Sequence, residues 1–441
     1  MKIFVLFDGC ERHLDLDGDP ESCPLETSPD GLVRELKAGQ ERLRVAPIDD
    51  LIGLCDAAGR AWTQPGNDVA RMVGNLAIGF LPLWLRRANL EALVTQALRG
   101  EAGAIDGFVP QTTGGRRQHR AQPRGLVVHW VAGNVPLLGM ISVIQGLLTK
   151  NANLVKVSRQ NAGVLPYFLA ALAKVRYLRP NGTEVAGTLL TDAVRAIYID
   201  REDPAATALS TLADVRVAWG GREAVEAIMN LPRRFGTEDI VFGPKTSFVV
   251  VGAEKLASEG EARKTAALVA RDAVALGQRG CNSPHTIFVE RGGALTPEAF
   301  ASLLGEELGR ATRQVPPDVA PQEAFQILGW RAEYDMRGQA WYSDGVRWSV
   351  FYSDQDHGLA TPCYGRTLFV RPVDDVFEVA AFCSINTQTA GLALGERRLT
   401  LAEELTARGI ERCPEVGQMS LYEAPWDGMY PMDRMVRWVS A

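Results

Sequence analysis

A chain of 441 residues, 46% hydrophobic and 23% charged, carries enough apolar material for two or three domains with sizeable cores. Its net charge of −6 forces no basic face on it, which argues against nucleic acid or an anionic membrane as the main partner. Seven scattered cysteines (Cys10, Cys23, Cys55, Cys281, Cys363, Cys383 and Cys413) are an odd count without CxxC or zinc spacing, so they fit free thiols in a reducing cytoplasm and not a disulfide framework.

Lys2–Phe7 reads as a strand, and the charge at Lys2 and Asp8 comes too early for a signal peptide. Asp15 to Asp30 is rich in Asp, Gly, Pro and Ser and predicts loop and turn. Helical spacing marks Leu32–Leu36, Ile48–Trp62 and most of Met72–Gly100. Gly114–Arg120 is a basic, polar stretch that predicts a solvated loop. From Gly125 to Thr149 there is no Asp, Glu, Lys or Arg, a length that could span a bilayer. His129, Asn134, Pro136 and Gln145 interrupt it, so a buried strand followed by a buried helix is the expectation, with no membrane span.

Strand and helix then alternate. Strands are expected at Leu126–Val131, Leu154–Val157, Ala196–Ile199, Val215–Ala218 and Phe248–Val251. Helices fall between them at Leu137–Leu148, Ala162–Tyr177, Asp203–Leu212 and Arg222–Met229. Apolar strands separated by helices imply a parallel sheet covered on both faces, with ligands at the carboxyl ends of its strands. A second series follows: a helix over Glu259–Leu276, a Gly-rich loop with Cys281, and a strand at Thr286–Val289. Beyond these come a helix at Pro297–Leu308, a strand at Thr367–Val370, a helix at Asp375–Phe382, a strand at Thr387–Leu392 and a helix at Thr400–Ala407.

Several residues could carry chemistry. Cys281 lies between a helix stopped by Gly277 and a buried strand, which suits a nucleophile and equally a small apolar filler. Asn134 stands where a strand hands over to a helix; it can donate to an oxyanion or cap the helix that begins at Pro136. Lys156 and Arg159 end the next strand, as surface cations or as partners of a sugar hydroxyl and a 2′-phosphate. Gly220 and Gly221 form either a plain tight turn or a cradle for a pyrophosphate, and no GxGxxG follows any strand. His129 and His285 lack metal-ligand spacing, so no metal is assigned.

Taken together these residues resemble the aldehyde dehydrogenase superfamily, and within it the LuxC-like acyl-CoA reductases, the fatty-acid reductase branch. The strings that carry the resemblance are His129–Gly139, Leu148–Lys156, Phe242–Ser247, Gln278–Pro284 and Trp426–Pro431. It covers about residue 70 to the end. It implies an α/β, aldehyde-dehydrogenase-like fold, with a Rossmann-type cofactor domain and a second α/β catalytic domain. The expected division is an N-terminal accessory region over 1–69, a nucleotide-binding domain over 70–245 and a catalytic cysteine domain over 246–415. A C-terminal segment, 416–441, is expected to pack on the cofactor domain or an oligomer interface.

The resemblance places Cys281 on the nucleophile and Asn134 on the amide of the oxyanion hole. Lys156 falls on the lysine of the adenine-side ribose, and Ser158 and Arg159 on positions that help choose NAD or NADP. Gly220 and Gly221 fall on the pyrophosphate turn, with Trp219, Trp130 and Val131 lining the cofactor. His129 is the expected proton donor, from nearness in sequence alone.

Two departures matter. Aldehyde-oxidising members carry a glutamate that activates water, where this chain has Val241-Phe-Gly-Pro244; Glu238 is the nearest substitute. They carry another that holds the nicotinamide ribose, where this chain has Pro362-Cys-Tyr-Gly-Arg366. The first loss favours reduction of an acyl thioester (acyl-CoA or carrier-protein-bound) by NADPH, with NADH the alternative. The competing expectations are an acid-producing aldehyde dehydrogenase and a non-catalytic acyl- or nucleotide-binding scaffold. A cytoplasmic homo-oligomer, dimer or tetramer, is expected.

Overall fold

The computed structural model describes residues 2–7, 10–15, 28–75, 79–110, 117–131, 133, 135–158, 164–199, 203–315 and 319–441. Contacts divide the chain into two compact units, Met1–Gly243 with Glu423–Ala441, and Pro244–Tyr422.

The first unit is built on a five-stranded sheet in the spatial order Glu238–Phe242, Val215–Trp219, Leu126–Trp130, Ala152–Lys156, Val194–Ile197. Every pairing is parallel, with Val127 opposite both Val215 and Asn153. The strands are apolar along their length because helices cover both faces, and order and direction make this a doubly wound sheet. The helix Pro136–Leu148, with proline in its first turn, accounts for most of the uncharged stretch. Among the described residues, no helix is long and apolar enough to cross a membrane.

The expected accessory region does not stand apart. The helix Pro29–Val45, capped by Ser28, sends Leu32, Val33 and Leu36 into the same core as Leu126, Val128, Leu154 and Ile197. Those side chains recur at one-turn spacing, so the helix has an apolar stripe that only the sheet can bury. Of the expected loop Gly114–Arg120, 114–116 lie outside the described residues, and 118–120 belong to the strand Gln118–Pro123, which pairs antiparallel with Val436–Ser440. Of the expected C-terminal segment, Glu423–Ala441 joins the first unit and 416–422 belongs to the second. Arg434 adds a salt bridge to Glu238 and Arg124 donates to the Arg434 carbonyl.

The second unit carries a six-stranded sheet in the order Gln339–Tyr342, Ser349–Tyr352, Thr367–Val373, Pro284–Glu290, Thr246–Val251, Thr387–Ala393. All neighbours are parallel except the edge pair Gln339–Tyr342 and Ser349–Tyr352. The helices Glu259–Val274 and Pro297–Gln314 pack Ala266, Val269, Phe300 and Leu304 against Val249, Ile287 and Val370 on one face. Leu401, Leu405 and Val379 pack against Phe248, Val250 and Phe288 on the other. The helix Pro321–Arg337 and the edge pair were not expected from the sequence. The buried positions of that helix, Ile327, Arg331 and Tyr334, include only one aliphatic residue, so its stripe is hard to read.

Candidate active site

In the first unit the residues expected to meet a cofactor stand at or just past the carboxyl ends of three neighbouring strands. Trp130 and Lys156 are register partners, and Val131 N–H donates to the Lys156 carbonyl at 3.3 Å. Lys156 Nζ lies 5.9 Å from the centroid of the Tyr198 ring. Val215–Trp219 ends on an indole stacked on Phe242 at 3.7 Å. Gly220 and Gly221 follow, and Gly221 begins the helix Arg222–Met229 with nothing within 4 Å of where a side chain would stand. Two buried polar atoms here, Ser158 Oγ and Trp219 Nε1, have no hydrogen-bond partner. Orphaned buried donors beside an open glycine turn are what a site waiting for a polar ligand looks like, so these residues fit a dinucleotide. Trp130 is only 6% exposed and belongs to the apolar core. Asn134 and Arg159 lie outside the described residues.

His129 is placed where proton donation to a substrate is not open to it. It is fully buried; Nδ1 is 2.7 Å from Ser142 Oγ and Nε2 is 3.0 Å from Asn153 Oδ1. Burial pushes its pKa down to about 4, against a smaller upward pull from Asn153, so it is neutral near pH 7. Both ring nitrogens are spent on tying the Leu126–Trp130 strand to the helix Pro136–Leu148 and to the next strand. A side chain at Gly146 would collide with the Asn153 amide that completes this link. The proton-donor expectation for His129 is therefore withdrawn.

Glu238 is not a free base either. Its carboxylate meets Arg434 through Nε at 2.6 Å and through Nη2, and Arg124 Nη2 at 3.3 Å. It stands at the amino end of its strand, while the cofactor-side residues lie at carboxyl ends.

In the second unit the thiol loop lies before the amino end of Pro284–Glu290. The helix Glu259–Val274 ends in a short turn in which Leu276, Gly277 and Gln278 all have left-handed backbone, φ 52°, 62° and 61°. For leucine and glutamine this conformation is costly, and it persists only where surrounding bonds enforce it. Gln278 supplies them. Its Nε2 donates to the carbonyls of Pro284 and Thr367, both at 2.9 Å, and its Oε1 accepts from Thr367 N–H at 3.0 Å. One buried amide thus fastens the loop to two adjacent strands.

Cys281 itself is partly exposed. Ser247 Oγ donates to its carbonyl at 2.6 Å and accepts from Thr389 N–H at 3.1 Å, which fixes the cysteine backbone to two further strands. Asn282 Nδ2 donates to the Met419 carbonyl at 2.7 Å, and a side chain at Gly280 would run into Asn282. Arg279 forms a 2.8 Å salt bridge with Glu323. Burial pushes the thiols of Cys55 and Cys413 up to about 12, and those of Cys363 and Cys383 up to about 11. Such thiols are poor nucleophiles.

A family model described as acyl-CoA reductase (LuxC) matches residues 47–438. The chain belongs to that family. Among relatives of the acyl-CoA reductase (LuxC) family, the long-chain acyl-protein thioester reductase of Aliivibrio fischeri is 27% identical over 353 residues, 77% of this chain and 68% of its own. The long-chain acyl-protein thioester reductase of Vibrio harveyi is 27% identical over 416 residues, 89% and 82%. Among solved structures, aldehyde dehydrogenase 21 of Physcomitrella patens, in complex with succinate, superposes with TM-score 0.65 at 11% identity, covering 100% of this chain and 97% of that one. An NAD-dependent benzaldehyde dehydrogenase of Corynebacterium glutamicum gives 0.57 at 13% identity, covering 100% and 94%. These likenesses show the aldehyde dehydrogenase fold for this LuxC-family chain.

The supports of the Cys281 loop were missed at the level of sequence. Ser247 and Gln278 stand inside the strings that carry the family resemblance, but a string names no bonding partner. The residues expected to meet a cofactor in the first unit stand at carboxyl ends of strands, whereas the thiol loop of the second unit sits at an amino edge.

Proposed function

We propose that the protein reduces an acyl thioester to an aldehyde through a thioester on Cys281. The observation that carries this reading is a partly exposed thiol in a loop locked by Gln278, Ser247 and Asn282, in a family of acyl-CoA reductases. The Cys281 thiolate attacks the thioester carbonyl; a new C–S bond forms, the old one breaks, and the carrier thiolate leaves. The Cys281 N–H donates to the oxyanion, and by resemblance the Asn134 amide is its second donor. A reduced nicotinamide cofactor, when bound, supplies hydride. Uptake of hydride and one proton by the enzyme thioester yields aldehyde and regenerates the Cys281 thiol. Rigid presentation of the thiol is the contribution of Gln278 and Ser247, since a small misplacement of a nucleophile is expensive.

Reduction is favoured over release of acid because no carboxylate is free to deliver water at the matching stretch. Val241 stands there, and Glu238 is held by Arg434 and Arg124. For the cofactor, Lys156, Ser158, Trp219, Gly220 and Gly221 are the residues that hold the dinucleotide, with Val131 beside them. Arg159 and Ser158 select NADPH over NADH. The donor is a thioester on a protein or on coenzyme A, and the cytoplasm is the compartment that keeps its thiols reduced.

The test is turnover of acyl-CoA with NADPH by wild type and by Cys281→Ala. Complete loss of both aldehyde formation and cofactor oxidation in the variant supports the reading. Near wild-type cofactor oxidation in Cys281→Ala contradicts it.

A further inference from the structure

Four of the five buried arginines among the described residues, all but Arg366, hold an acceptor through at least one guanidinium nitrogen. Arg331, 7% exposed, donates to Ser349 Oγ at 3.0 Å and to the carbonyls of Gly345 at 2.7 Å and Trp348 at 3.1 Å. Arg216, fully buried, holds Asp239 through Nε at 2.6 Å and Ser210 Oγ at 2.9 Å. Arg366 breaks the pattern. It is 1% exposed, its Nε and Nη1 have no partner, and among the described residues no ion pair reaches it.

The surroundings sharpen the anomaly. Arg366 directly precedes Thr367, whose backbone is bonded twice to Gln278, the clamp of the Cys281 loop. Nδ1 of His285, 5% exposed, is also without a partner, and His285 follows Pro284, the other carbonyl that Gln278 holds. Its ring meets that of Tyr364, two residues before Arg366, at 5.5 Å. Three unpartnered buried nitrogens, two of them on Arg366, thus belong to residues at the amino ends of two adjacent strands.

Leaving a buried cation without an acceptor is among the costliest arrangements a fold can retain. Burial draws the Arg366 pKa down to about 10, so it stays charged at neutral pH. Among the described residues no carboxylate meets it, which leaves the negative charge for a ligand to bring. The covering loop can yield, since Tyr364, Gly365 and Arg366 all have left-handed backbone, φ 59°, 60° and 58°, and Tyr364 is 39% exposed. Two non-glycine residues in that region store strain that a rearrangement releases.

We propose that Arg366 is a buried receptor for one phosphate oxyanion brought by a ligand that binds at the Cys281 loop. One ligand of the thioester-reductase reading has such a group to spare, a thiol carrier of the coenzyme A class, since the phosphates of the dinucleotide are assigned to Gly220, Gly221, Ser158 and Arg159; the choice rests on that reading. A guanidinium suits phosphate because it offers several N–H donors to its oxygens.

The experiment measures dissociation constants of NADPH and of coenzyme A by calorimetry on the full chain. Wild type, Arg366→Met and Arg366→Lys are compared after circular dichroism confirms folding. The expected result is a tenfold or greater weakening for coenzyme A in Arg366→Met, part of it restored in Arg366→Lys, with NADPH within twofold of wild type. A dissociation constant of coenzyme A within twofold of wild type in folded Arg366→Met, or equal weakening of both ligands, would overturn the proposal. Should that variant not fold, wild type alone decides: inorganic phosphate must weaken coenzyme A beyond what chloride does at equal ionic strength, and equal effects of the two salts overturn it. Acylation of Cys281 by acyl-CoA, followed separately, keeps a failure of this receptor distinct from a failure of the thioester-reductase reading.

Discussion

In the first unit the residues assigned to a cofactor follow the carboxyl ends of Leu126–Trp130, Ala152–Lys156 and Val215–Trp219. In the second, Cys281 precedes the amino end of Pro284–Glu290. Both sheets are largely parallel and covered on both faces, yet the candidate residues stand at opposite edges. The local chemistry differs accordingly. The first edge has a glycine turn and a helix start, whose backbone N–H groups would suit a phosphate-bearing ligand. The second has two short left-handed runs, Leu276–Gln278 and Tyr364–Arg366, joined through Gln278. A ligand cradle can be built from permissive backbone, whereas a nucleophile needs enforced backbone.

That contrast can be broken at Gln278. Gln278→Ala removes the bonds to the Pro284 and Thr367 carbonyls and one of the two bonds of the Thr367 N–H, which keeps the Tyr364 carbonyl, so turnover should fall roughly 100-fold, by the cost of misplacing a nucleophile. Stability should fall by about 2–3 kcal/mol, by the cost of unmade buried hydrogen bonds. Steady-state kinetics and urea unfolding check both, and an unchanged rate would mean the clamp does not position Cys281.

The first unit should respond to acid instead. His129 has a folded pKa of about 4, below its unfolded value of 6.5, so its contribution to stability is present above pH 6.5. It is lost as pH falls from 6.5 towards 4, by about 3 kcal/mol at 1.36 kcal/mol per pKa unit. His129→Gln should flatten that part of the stability–pH curve without moving the pH profile of turnover. A shift in the turnover profile would reinstate His129 as a proton donor.

Ser247→Ala removes one bond to the Cys281 carbonyl and should cost roughly tenfold in rate, about 1.4 kcal/mol. Glu238→Gln should do least. It weakens the tie to Arg434 and leaves the ratio of aldehyde to acid unchanged, as measured by product chromatography. A fall in acid release would show that Glu238 serves as a base after all.

The alternation of apolar strands and helices was legible in the chain because helices on both faces of a parallel sheet leave continuous apolar runs, as in Leu126–Trp130 and Phe248–Val251. Cys281 was legible through the string around it. The helix Pro321–Arg337 was not, because its buried face includes Arg331, which satisfies itself on carbonyls far away in sequence. The role of His129 was misread for a related reason. Nearness in sequence to a reactive motif carries no information about which way a strand residue faces, and this one faces the helix that packs on the sheet. Arg366 stood inside the departing string Pro362–Arg366, but only burial without a partner makes it conspicuous.

The reading of Cys281 as the acyl carrier is tested most directly by intact-protein mass spectrometry after incubation with acyl-CoA, before and after NADPH is added. The expected result is a mass increase of one acyl group on wild type, absent in Cys281→Ala, that NADPH clears with release of aldehyde. No adduct on wild type, or an adduct that persists in Cys281→Ala, would contradict it.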